Sequence, residues 1–268
     1  MSGTGLLLLV AAALIAADDH PISESERQRL TDRLERGAGA LDQRIEKDPK
    51  SIELLSHRGD LRMFLGRSEE AIADYDRMIE LDPRYEKSHW RRGIARFYAD
   101  DFAGSVKQFD MYHEEDDVDR ENGIWRYFAQ CKGEGRDKAQ EGLLKYTKED
   151  RPPFQSLYDF FQDKIKAEDV LAEIDKAPLE GPEKKRRLFY AHLYIGLDHA
   201  VADRKEEARK HLRQAIANDW APYAQYGPRY MWNVARVQYD LLAPQPEKRP
   251  AKPKDPGKLE PVPDPGAD

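Results

Sequence analysis

The chain holds a single cysteine, Cys131, among its 268 residues. No intramolecular disulfide can form, and no zinc site built on several cysteines can form either. A catalytic cysteine needs a paired histidine, and no local pattern proposes one. Beside Phe128, Cys131 reads as a small hydrophobe on an apolar face. Positive charge is also short: 44 Lys and Arg against 51 Asp and Glu give a net charge of −7. That balance lacks the basic footprint of a nucleic-acid binder. No apolar run reaches the roughly 20 residues of a transmembrane helix. Nucleophile–base motifs, metal signatures and phosphate loops are missing too. No catalytic, cofactor or metal residue is therefore assigned. What is present is 40% hydrophobic and 35% charged residues, the profile of amphipathic helices with a heavily charged surface.

The chain is organised around residues 52–119, where one unit of 34 residues is read twice. Gly59 returns as Gly93, Ala71 as Ser105, Tyr75 as Phe109 and Asp76 as Asp110. Small Gly59 and Ala71 suit a close helix crossing. Gly66 suits a turn that needs positive φ. Tyr75 is expected to fill the space between units, and Pro83 to end the second helix. A period near 34 with these positions is identified as a tetratricopeptide repeat, a helix–turn–helix unit that stacks into a solenoid. The resemblance implies an all-α fold, a right-handed superhelix of such units.

The same spacing divides the rest. Residues 22–51 match the second half of a unit, with Asp42, Ile45, Asp48 and Pro49 one period before Asp76, Ile79, Asp82 and Pro83. Their first half is too polar and short for a full helix, so the segment reads as a capping unit or a linker. Repeats follow at 52–85, 86–119 and 120–153, the last ended by Pro152 and Pro153. Residues 154–182 read as spacer helices, with Phe154, Tyr158, Phe160 and Phe161 as core candidates. A repeat at 186–220 has slipped by one residue, and 228–242 forms a last helix able to cover the open end of the stack. The apolar run from Leu6 to Ala17 is too short to span a membrane and resembles a secretory signal peptide over 1–17, although it carries no Lys or Arg before it. The expected location is therefore periplasmic or extracellular. No cysteine follows for lipid attachment. The tail, 243–268, holds eight of the seventeen prolines and reads as a disordered spacer or a ligand for a proline-binding module.

Function follows from the helix-A positions, which line the concave surface in repeats of this type. Trp90, Ile94, Phe97 and Tyr98 recur at helical spacing, and Arg91 is placed to make a charged contact at the rim. These five are the candidate protein-binding groove, though an aromatic stripe also serves as core, and about two of the four apolar residues are expected to be buried. Ser56 and Asp60 stand where some repeats clamp a peptide carboxylate, and Asp60 would repel one. The run His113–Asp119 is expected to be a solvated acidic loop, since it lacks the glycine and spacing of a calcium loop. His192 and His199 read as packing or surface residues. The function expected is a non-catalytic protein-binding scaffold; the alternative is a structural oligomer whose aromatic face is a self-interface.

From Gly123 onward the order of features is more specific. IWRYFAQ, KAQEGLLKY, SLYDFFQDK, FYAHLYIGL and EEARKHLRQAIAND succeed one another before the closing aromatic helix. Over about 52–242 the chain resembles the NlpI-type group of bacterial cell-envelope tetratricopeptide proteins. That resemblance implies protein or peptide partners, envelope enzymes among them, and a homodimeric tendency. The chain departs from the group in its missing lipidation cysteine and its Pro-rich tail.

Overall fold

The computed structural model describes residues 19–148 and 150–243. The expected signal segment, and all of the tail beyond Ala243, lie outside the described residues. Among these residues the chain is all-helical, without strands, and none of its helices is long and apolar enough to cross a membrane.

Helix α1 (Glu24–Lys47) starts at Ser23, whose side chain and that of Glu26 exchange hydrogen bonds with each other's backbone. That reciprocal cap satisfies two donors left free at the helix start. Its buried residues Leu34, Ala38 and Leu41 lie on one face and pack on α2 (Ile52–Phe64). The segment is thus one continuous helix and not an unstructured linker. Antiparallel pairs follow: α2 with α3 (Ser68–Leu81), α4 (Trp90–Tyr98) with α5 (Phe102–Glu115), and α6 (Arg120–Glu134) with α7 (Arg136–Glu141). Short α8 (Phe154–Phe161) and α9 (Ala167–Lys176) lead to the pair α10 (Gly181–Val201) and α11 (Lys205–Ala217), and α12 (Tyr226–Leu241) is the last helix among the described residues. All four spacer aromatics named from the sequence are buried.

The repeated residues have visible reasons. A Cβ on Gly59 would lie 2.5 Å from the Tyr75 ring, and one on Gly93 would lie 2.7 Å from Phe109. Each first helix therefore presses its bare backbone on an aromatic ring of its own second helix, so Tyr75 packs within the unit as well as beyond it. In the pair α10–α11 the same contact is Gly196 on Leu212. The turns inside the pairs all use a residue with positive φ: Gly66, Asp100, Gly135 and Asp203. Glycine adopts this region without a Cβ penalty, and aspartate is among the few other residues that tolerate it.

A second echo holds one unit to the next. Arg58, Arg92 and Arg126 are 34 residues apart, as are Asp42, Asp76 and Asp110. Each arginine on a first helix meets the aspartate sixteen residues earlier, on the preceding second helix. The N–O distances are 2.8 Å for Arg58–Asp42, 2.6 Å for Arg92–Asp76 and 2.5 Å for Arg126–Asp110. The arginines are mostly buried, so these pairs are less screened than surface ones. In this ladder α1 plays the part of a second helix.

The structure departs from the expected pattern in the third unit. Helix α7 stops at Glu141, well before Pro152 and Pro153. Arg126 donates to the carbonyl of Gly142 at 2.7 Å, and Tyr146 turns inward against Tyr158 and His113. Side-chain packing thus takes over where further helix would otherwise form. Helix α10 also begins earlier than expected, at Gly181, because Pro182 suits the first turn of a helix.

Arg126 serves both the ladder and the end of α7. Arg126→Ala is expected to lower unfolding stability by about 2 kcal/mol, the scale of a charge-assisted hydrogen bond left unmade. Urea unfolding followed by circular dichroism measures this.

Candidate functional site

Helix α12 crosses the side of the array formed by α2 and α4. Its Tyr226 and Tyr230 rings meet Trp90 edge-on, with centroids 6.2 and 4.9 Å away, and Tyr230 also meets Phe64. The groove residues named from the sequence therefore have a partner inside the chain. Ile94 and Phe97 are buried in the core, where Phe97 packs on Trp125 and Phe102. Tyr98 is half-buried against Phe97 and Trp125. Trp90 is half-buried beneath α12 but still borders open space.

Arg91 is not a rim contact. Its side chain is 16% exposed, and it pairs with Asp60 at 2.7 Å. Arg91 also donates to Ser56 and to the Tyr226 hydroxyl. Asp60 accepts in addition from Tyr75 at 2.8 Å and from Tyr226 at 2.5 Å. The two positions compared with a carboxylate clamp, Ser56 and Asp60, are thus occupied by the chain's own arginine and tyrosines.

What α12 leaves open is a cavity of about 510 Å³ between α4, the α5–α6 turn, α6, α10 and α12. Its aromatic wall comprises Trp90, Tyr112, Trp125, Tyr190, Trp220 and Tyr226. Its polar wall includes Asp119, Glu121, Asn122, Arg151 and Arg186. Of the sequence-named groove only Trp90 borders it. Only part of the acidic run His113–Asp119 is solvated. Asp117 is exposed and pairs with Lys148, but Asp116 accepts from the backbone of Val118 and Asp119. Asp119 then caps α6 by accepting from Glu121 N at 3.0 Å, which places both carboxylates at one end of that helix.

These acids gather around one cation. Arg151 donates to Glu121 at 2.6 Å, to Asp150 at 3.1 Å and to Asp119 at 3.3 Å. Its guanidinium lies over the Phe154 ring, 4.4 Å from the centroid, and also over Tyr190. Glu121 further accepts from the Tyr194 hydroxyl. Burial, reinforced by the charge of Asp119, pushes the Glu121 carboxyl up to about 7. Burial raises Asp119 as well, against the pull of Arg151. Trp125 is 1% exposed, and its indole Nε1–H has no hydrogen-bond partner. Buried donors are normally satisfied, so this one is conspicuous on the wall of a cavity.

Elsewhere, His192 and His199 meet a third histidine, His211 of α11, which lies 3.1 Å from His192 between the ring nitrogens. Burial lowers both His192 and His211 to about 4, so the cluster is neutral near pH 7 and packs as rings. No group of histidine, cysteine, aspartate and glutamate among the described residues is arranged to hold a metal ion. Cys131 is partly buried, and burial raises its thiol to about 11, away from the reactive thiolate. No family model matches the sequence.

Glu121 gives a test of the site's electrostatics. Its carboxyl holds a proton in the folded state up to about pH 7, whereas a free glutamate loses it near 4.5. Stability from this group is therefore present below pH 4.5 and is lost as the pH rises through 7. Glu121→Gln does not titrate. Its melting temperature relative to wild type is expected to rise between pH 4.5 and 8, by the equivalent of about 3 kcal/mol. A difference independent of pH would show that Glu121 is not desolvated as described.

Proposed function

We propose that the chain is a non-catalytic scaffold of tetratricopeptide type, its pairs arranged as a right-handed superhelix, that receives a protein or peptide partner in the cleft between α4, α6, α10 and α12. The observation that carries this reading is the cavity itself. Three tryptophans, two arginines and two desolvated carboxylates converge on it. Binding sites combine an apolar lining with a few oriented polar groups in this way. The arginine–aspartate ladder fixes α4 and α6 on their neighbours, Asp60 holds α4 and α12, and Tyr194 of α10 donates to Glu121 of α6, so the surface is preformed. Ordering cost on binding then falls mainly on the partner. Export, and partners among cell-envelope enzymes, accord with the signal-like segment and with the NlpI-type resemblance and belong to the same proposal.

The test is a cross-linked pull-down from envelope extract, comparing wild type with a Tyr112→Ala, Trp220→Ala double variant shown by circular dichroism to be folded. Partners captured by wild type and lost from the variant are the expected result. Equal capture by both would place the partner surface outside the cleft.

A further inference from the structure

The cleft carries a charge imbalance that its own residues do not resolve. Three carboxylates, Asp119, Glu121 and Asp150, surround the single guanidinium of Arg151. Asp150 is further satisfied by the backbone N–H groups of Arg120 and Arg151. Among the described residues Asp119 and Glu121 pair with no cation other than Arg151, and both border the cavity. Arg186 also borders it, but its guanidinium is held by Glu183 at 2.7 and 2.9 Å. Aromatic rings make up much of the remaining wall, and rings of this kind attract cations to their faces. The unpartnered indole N–H of Trp125 adds a demand of the opposite kind, for an acceptor such as a peptide carbonyl. A ligand that meets both demands carries a positive charge and a hydrogen-bond acceptor a short distance apart.

We infer that the cleft recognises a basic residue of a peptide, with the cationic side chain set beside Asp119 and Glu121 within the aromatic wall and a backbone carbonyl accepting from Trp125. This inference rests on the reading of the cleft as the partner site and specifies the partner's chemistry. A lysine or arginine side chain supplies the missing charge, its methylenes lie along the rings, and the adjoining peptide unit supplies the acceptor. Binding such a cation favours the ionised form of Glu121. The groups facing Glu121 are Asp119 at the cap of its helix, Tyr112 on α5, Asp150 and Arg151 before α8, and Tyr190 and Tyr194 on α10. Among these Glu121 is the one raised to about 7, so affinity rises with pH through that value.

Three of the four tryptophans border the cavity, and the fourth, Trp232, is bonded to the carbonyl of Ile216. Indole signals therefore report on the site. The experiment titrates the full chain with acetyl-Gly-Gly-Lys-Gly-Gly-amide and with its norleucine counterpart, following indole N–H resonances and tryptophan fluorescence. Cellobiose serves as a neutral polyhydroxyl control. The lysine peptide is expected to bind at least about tenfold more tightly than the norleucine peptide, the scale of a close charge pair. Its affinity is expected to rise from pH 5 to 8 in wild type, and not in Glu121→Gln. Asp119→Asn, which keeps a good cap for α6, is expected to weaken the lysine peptide selectively. Equal binding of the two peptides would overturn the cationic specificity while leaving the cleft as a peptide site. Binding of neither peptide, or of cellobiose alone, would overturn the inference. Unchanged partner capture by the Tyr112→Ala, Trp220→Ala variant would overturn the cleft reading as well.

Discussion

The carboxylate of Asp60 is 5% exposed and accepts from Tyr75, Arg91 and Tyr226, residues of α3, α4 and α12. A buried carboxylate is tolerable only when paired and hydrogen-bonded. These contacts satisfy it, and in doing so they join helices 166 residues apart in sequence. Arg91 is the matching cation, with its guanidinium over the rings of both Tyr75 and Tyr226. Removing Asp60 or Arg91 leaves the other as an unpaired buried charge. The placement of α12 across α2 and α4, and with it the shape of the cleft, depends on this cluster.

The arrangement gives the chain two kinds of order. Along the array, arginine–aspartate pairs and glycine–aromatic contacts recur with the repeat and fix each unit on its neighbour. Across the array, single contacts without repetition close the fold: Asp60 with Tyr226, Trp90 with Tyr230, and Trp125 with Tyr194. The cavity lies where these two kinds of order meet. Its carboxylates come from the start of α6, its aromatic rings from several elements, and its arginines from an irregular stretch before α8 and from α10.

The repetitive part was legible in the sequence because it repeats. Gly59 and Gly93, Tyr75 and Phe109, and Asp42, Asp76 and Asp110 marked the units directly. Arg58, Arg92 and Arg126 carry the same spacing and supply the other half of the ladder, although spacing alone does not pair them with the aspartates. The end of α7 was not legible, since it rests on Tyr146 and on Arg126 meeting the Gly142 carbonyl. The groove was only partly legible. Helical spacing showed that Trp90, Ile94, Phe97 and Tyr98 share an apolar character, but it does not say what covers them. Periodicity assigns a face, whereas the covering helix comes from more than a hundred residues away. Asp119 and Glu121 were hidden for a related reason. An acidic run looks solvated until a helix cap and Arg151 draw its last member, Asp119, and nearby Glu121 inward.

The most direct measurement is amide hydrogen exchange across α12 in wild type, Tyr226→Phe and Asp60→Asn. If Asp60 holds α12 on the array, the amides of residues 226–241 exchange faster in Asp60→Asn by on the order of a hundredfold, while α10 and α11 keep their protection. Tyr226→Phe shows a smaller increase confined to the same helix. Exchange in α12 that is unchanged in both variants would contradict the account, because α12 would then be held in place without Asp60.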